Sequence, residues 1–263
     1  ECTGRYLSIY ERSLTRVFPT STLDSGAFSY ALEKITESQQ SHLATSETQP
    51  LVTNSFDRTV LPNGLRILTS TIRHTNAVSI MFLFGAGSRY ETPELAGASH
   101  LFEHMLFKGT PERPTPRQIS EVVEGVGGML NAFTDREVTG YYCRVAQPNY
   151  RESIDLLSDM TLNSFFKDED IVKEKQVVYE EIRASYDSPG ARVSMLLDDL
   201  LWPDQPMGRD IAGSVESVGA ITREQMLEYL ETQYVGSNTV IAVAGNIEHA
   251  DVVAQLTELL GGL

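Results

Sequence analysis

Cysteine is nearly absent from this chain. Cys2 and Cys143 are the only two among 263 residues. Two thiols so far apart exclude a disulfide framework and a cysteine-based zinc site, and they favour a reducing compartment. Long apolar runs are missing as well. The stretch 78–84 is among the longest and is strand-sized, so no membrane span is expected. Basic residues are scarce: 21 Lys and Arg against 36 Asp and Glu give a net charge of −15. That balance disfavours nucleic-acid binding, which needs cationic groups facing phosphates. It suits plain solubility and the steering of cationic peptides. With so little cysteine, any bound metal must be held by histidine and carboxylates.

Hydrophobic residues make up 41% of the chain, enough for one large domain with an appendage. Residues 1–55 read as an N-terminal extension of unknown role. They are rich in Ser, Thr and Gln, carry Arg5, Arg12 and Arg16, and look helical only over 27–36. A basic, Ser/Thr-rich leader resembles a transit segment, whereas Glu1 and Glu11 fit a flexible extension. The start at Glu1 rather than Met is expected of a processed or truncated chain.

From residue 56 to 263 the pattern is regular and reads as one domain. Strands are expected over 58–61 and 65–71 around the turn Pro62-Asn63-Gly64. Further strands are expected over 78–84, 129–135, 138–146 and 239–244. Helices are expected over 94–107, 115–126, 150–163, 168–186, 191–201, 222–233 and 250–260. This order gives an α+β fold, a mostly antiparallel sheet packed against helices.

The chemistry centres on His100-Leu101-Phe102-Glu103-His104, an H-x-x-E-H pattern. Two histidines four apart on a helix project from one face, so both imidazoles can reach one tetrahedral zinc. Glu103 lies between them in sequence and is placed to take a proton from a metal-bound water. A catalytic zinc needs a third protein ligand and an open position. The acidic helix near 168–187 offers Glu174, Glu180 and Glu181. Glu174 and Glu181, two turns apart, share a face, and Glu180 sits about 100° away around the helix.

Several motifs in one order resemble the inverted-zincin metallopeptidases of the pitrilysin family. The resemblance extends in particular to the β subunit of mitochondrial processing peptidase and its bacterial relatives. The zinc-helix segment is His-Leu-Phe-Glu-His-Met-Leu-Phe-Lys-Gly-Thr from His100 to Thr110. Leu61-Pro62-Asn63-Gly64-Leu65-Arg66 matches an opening strand, and Gly87-Ser88-Arg89-Tyr90-Glu91 the turn before the zinc helix. Gly127-Gly128-Met129-Leu130-Asn131-Ala132-Phe133-Thr134, Pro206-Met207-Gly208-Arg209 and Ala244-Gly245-Asn246 complete the set.

The resemblance implies one half of a clamshell metallopeptidase. Its third ligand, 77 residues past the second histidine, falls on Glu181, so the implied zinc ligands are His100, His104 and Glu181. Glu103 is the implied general base, and Glu174 a catalytic-site carboxylate orienting a ligand or the water. Asn131, Ala132 and Phe133 begin a cleft-side strand whose edge would take up extended substrate. The implied activity is a zinc metalloendopeptidase acting on extended peptides or N-terminal segments of precursors. The alternative is a non-catalytic scaffold or core subunit of a respiratory cytochrome bc complex or of a peptidase heterodimer. A second, related domain, in cis or as a partner subunit, is expected to supply an Arg and a Tyr for substrate binding and oxyanion stabilisation, and dimers are expected. The implied location is the cytoplasm of a bacterium or, alternatively, the mitochondrial matrix. Mitochondrial processing subunits carry acids ten and fourteen residues past the third ligand. Here Ala191 and Met195 stand there, with Asp198 and Asp199 one turn further on. This departure favours a bacterial-type processing or oligopeptide-degrading enzyme over strict presequence cleavage.

Overall fold

A computed structural model describes residues 56–263. The expected extension 1–55, with its helix over 27–36 and Cys2, lies outside the described residues. Alternating buried and exposed positions along 78–84 become a strand with Val78, Ile80, Phe82 and Phe84 buried on one face. Six strands form one sheet: β1 Asp57–Val60, β2 Arg66–Thr71, β3 Ala77–Phe84, β4 Met129–Thr134, β5 Thr139–Ala146 and β6 Thr239–Gly245. Their order is β1-β2-β6-β3-β5-β4. The β2–β6 pair is parallel, and the other neighbours are antiparallel. The expected α+β class is therefore the observed one.

The hairpin between β1 and β2 turns where Pro62-Asn63-Gly64 predicts it. Gly64 has φ +88°, a left-handed conformation that a side chain would strain. The Asn63 side chain accepts from the Leu65 amide and donates to the Leu260 carbonyl, tying the turn to the chain's C-terminal part.

The described residues hold eight α-helices: α1 Ala98–Met105, α2 Pro116–Glu124, α3 Tyr150–Asn163, α4 Asp168–Asp187, α5 Pro189–Leu201, α6 Val215–Ala220, α7 Arg223–Gln233 and α8 His249–Leu260. The core lies between the sheet face bearing Ile80 and Phe82 and the apolar sides of α1, α3, α4, α7 and α8. Phe102 of α1 stacks on Tyr229 of α7, with ring centroids 5.2 Å apart. This packing seats the histidine-bearing helix against the core with its other side free for chemistry.

Two departures from the sequence reading have local causes. Helix α1 starts at Ala98 rather than 94, because the buried Glu91 carboxylate accepts from the Gly97 and Ser99 amides and Gly97 adopts φ +94°. A short 3-10 turn, Pro93–Leu95, occupies the expected first helical turn. Helix α6, not expected at all, is set by a capping box between Ser214 and Ser217. Helix α5 has a regular apolar stripe, yet buries none of its residues; Val193, Leu196, Leu197, Leu200 and Leu201 are all at least half exposed.

Candidate metal centre

Helix α1 carries His100 and His104 one turn apart, and α4 packs across it. The result is a triangle of ligand atoms. His100 Nε2 and His104 Nε2 are 3.3 Å apart. Glu181 Oε2 lies 3.6 Å from the first and 3.5 Å from the second. Tetrahedral coordination at about 2.0–2.2 Å from a zinc requires ligand atoms about 3.3–3.6 Å apart. The donor set, two imidazoles and a carboxylate, suits zinc, and three ligands leave one position open. Among the described residues these three form the one cluster of metal-ligating groups found.

The imidazoles are held in metal-ready form by different means. Burial, and then the neighbouring His104, pushes the His100 pKa down to about 4, so its ring stays neutral at ordinary pH. His104 is oriented by a hydrogen bond, 3.1 Å long, from Nδ1 to Glu174 Oε2. An ionised carboxylate only accepts, so the proton sits on Nδ1 and the Nε2 lone pair faces the triangle. Lys108 Nζ lies 2.6 Å from the other Glu174 oxygen, balancing the charge of a carboxylate buried among α1 and α4.

Glu103 lies on the same helix, half-buried. Its Oε2 accepts a hydrogen bond of 2.6 Å from the Thr134 hydroxyl at the end of β4. Burial pushes its carboxyl above the ordinary range, and the Thr134 hydrogen bond draws it back. A carboxylate with a moderately raised pKa is better matched to proton transfer near neutrality than a solvated one. Thr134 belongs to the segment quoted in the sequence, but nothing there signalled its contact with Glu103. The contact spans 31 residues and exists only once β4 packs on α1.

Asn131, Ala132 and Phe133 lie on β4, the last strand of the sheet order. Leu130 and Ala132 pack toward the core, and strand alternation puts Asn131 and Phe133 on the opposite face. The Phe133 ring covers Gly140 on β5, where a side chain would collide with it. Asn131 Oδ1 accepts from the Ala132 amide. That amide therefore points away from β5, along the open edge of the sheet. Of the three, then, Ala132 shares the α1 side with Thr134, and Asn131 and Phe133 do not.

Ala191 and Met195 line a groove with Ser185, one turn beyond Glu181, and with Arg136 and Asp198. Asp198 is paired with Arg136 Nη2 at 2.5 Å, so its charge is already matched within the domain.

The fold and this cluster define an inverted H-x-x-E-H metal-binding half-domain. The chain belongs to the insulinase family, peptidase family M16, whose model matches residues 66–215. A model of the peptidase M16 inactive domain matches 220–263, beyond all the residues of the cluster. Relatives include an uncharacterised zinc protease of Rickettsia felis, 37% identical over 209 residues, 80% of this chain and 50% of that protein. A probable mitochondrial-processing peptidase β subunit of Arabidopsis thaliana is 39% identical over 76% of this chain and 38% of its own. Among solved structures, an M16-like peptidase from Alicyclobacillus acidocaldarius aligns with a TM-score of 0.73 and 27% identity, covering 81% of this chain and 51% of that one. The chain thus spans about half the length of the zinc proteases it matches. Among the described residues no helix is long and apolar enough to cross a membrane.

Proposed function

We propose that this domain is the metal-bearing half of a zinc metalloendopeptidase that hydrolyses extended peptides or the N-terminal segments of precursor proteins. The observation that carries the reading is the triangle of His100, His104 and Glu181 with Glu103 beside it on the same helix. When bound, zinc supplies Lewis acidity, which acidifies water and polarises a carbonyl. His100, His104 and Glu181 hold it, and Glu174 fixes the His104 tautomer. Glu103 accepts the proton of the attacking water at its free carboxylate oxygen and passes it to the leaving amine. Extended substrate lies along the open β4 edge at Asn131, Ala132 and Phe133, and Ala132 supplies the backbone hydrogen bonds among the three, a mode that suits many sequences.

A second family domain, in cis or as a partner subunit in a dimer, closes over this edge and supplies the donors for the oxyanion. Named relatives that are zinc proteases support zinc as the metal. The buried free thiol of Cys143 suits a reducing compartment, either the bacterial cytoplasm or the mitochondrial matrix. A purely scaffolding role gives no reason for a base and three ligands to be kept together.

The test pairs metal content with hydrolysis of internally quenched peptides. The parent protein should hold about one zinc per chain. Glu103→Gln should keep the zinc and the fold yet lose nearly all hydrolysis, because an amide fills the same space without accepting the proton. Full activity in that variant would refute Glu103 as the base, and absence of zinc in the parent would refute the function.

A further inference from the structure

The geometry points to Thr134 as a positioning residue that orients Glu103 from the end of the strand whose edge would take up substrate, an inference that rests on the peptidase reading above. Thr134 Oγ1 is 2.6 Å from Glu103 Oε2 and 3.5 Å from the Ser99 carbonyl on the same helix. The short bond goes to the carboxylate and occupies one of its two oxygens. A hydroxyl donates one proton, so the bond to Glu103 comes at the expense of the bond to Ser99.

Thr134 is also the last residue of the edge strand. It follows Ala132 by two positions, so both side chains lie on the α1 side of the sheet. Both residues likewise present their backbone groups to the open edge, as the Ala132 amide does. A peptide backbone that pairs with Ala132 therefore adds to the strand whose terminal side chain holds the base. The edge that would align the scissile peptide and the group that would orient the carboxylate are two residues apart on one rigid element. Substrate alignment and base alignment are thereby set by the same strand. Small misplacement of a reacting group is costly, on the order of a hundredfold in rate for about 1 Å.

The experiment uses Thr134→Val, which keeps shape and β propensity but removes the donor, and Thr134→Ser, which keeps the donor. The probe is one internally quenched nonapeptide cleaved by the parent protein. Thr134→Val should lower kcat on the order of tenfold to a hundredfold with KM nearly unchanged. Zinc affinity by chelator competition should not move, and Thr134→Ser should restore most of kcat. In a crystal structure of Thr134→Val the Glu103 carboxylate should leave its present orientation. Unchanged kcat, a loss of zinc in step with activity, or failure of Ser to rescue would each overturn the assignment. A carboxylate that keeps its place without the hydroxyl would overturn it too. That structural arm needs no turnover, so a parent protein that cleaves nothing would sink the proposed function while the fate of Thr134 is still decided by crystallography.

Discussion

Glu180 and Glu181 are neighbours with opposite fates. One residue turns the helix by about 100°. Glu180 pairs with Arg183 at the surface, its side chain 72% exposed, while Glu181 reaches between the two imidazoles. Exposed pairs of that kind contribute little, so Glu180→Gln should leave metal binding unchanged. Glu181→Gln should lose most of the zinc during dialysis against a chelator, measured as metal per chain. Equal losses in the two variants would refute Glu181 as the third ligand.

Glu174 acts one bond further out. Glu174→Gln keeps an acceptor but removes the charge that polarises the His104 ring, and should weaken zinc binding about 10- to 100-fold in a chelator competition. The histidines and Glu103 were legible from spacing alone, since four residues on a helix dictate a shared face. Spacing left Glu174, Glu180 and Glu181 as candidates for the third ligand, the first and last sharing a face, and the family resemblance pointed to Glu181. Thr134 was not legible, because a strand threonine carries no mark of the helix it will meet. The roles read for Asn131 and Phe133 were less well served by the sequence. Strand alternation turns their side chains away from α1 and their backbone groups toward β5, so among Asn131, Ala132 and Phe133 only Ala132 presents its backbone to the open edge.

Among the elements, α1 shows how tertiary contacts move a boundary that periodicity suggests. The apolar pattern extends back to residue 94, but Glu91 reaches forward to cap the helix at Gly97. A carboxylate at that end also meets the positive pole of the helix. Strands, by contrast, came close to their expected bounds, because alternation with period two leaves little freedom of register. Helix α6 escaped notice because it is a single capped turn and a half with one buried residue, Val218.

The same helix gives a pH dependence. The folded state holds His100 neutral down to about 4, against an ordinary 6.5 in an unfolded chain. Between those values the unfolded state binds a proton that the folded state refuses. Stability of the zinc-free protein from this group therefore rises as pH rises through that window and is lost on acidification. Glu91 works the other way, since burial raises its pKa above 4.5 and the folded state keeps its proton longer. The two are separated by comparing the parent with His100→Asn in denaturant titrations from pH 4 to 7. The variant should show a flatter rise of stability with pH, and identical slopes would refute the assignment of the shift to His100.

At the scale of the molecule, the proposed function makes this domain one side of a reaction centre. The proposed ligands, base and strand edge all belong to α1, α4 and β4. On the proposed function, zinc binding is expected to require this side alone and hydrolysis to require more. The tetrahedral species that forms as water adds to a peptide carbonyl carries a negative oxygen. Donors fixed at that oxygen are worth much in a water-free site, and the loss of one costs roughly a hundredfold or more in rate. In the groove that Ala191 and Met195 line, Arg136 is already engaged by Asp198. Residues 56–263 alone should therefore bind about one zinc per chain and cleave a quenched nonapeptide slowly. Supplying a second, metal-free domain of the family, fused in cis or added as a separate chain, should raise kcat/KM by about a hundredfold or more without changing zinc content. It should also favour extended peptides over folded proteins, because the two halves must close around the bound strand. Equal rates for the single domain and the two-domain assembly would show that the centre is self-sufficient and that the clamshell adds nothing to the chemistry.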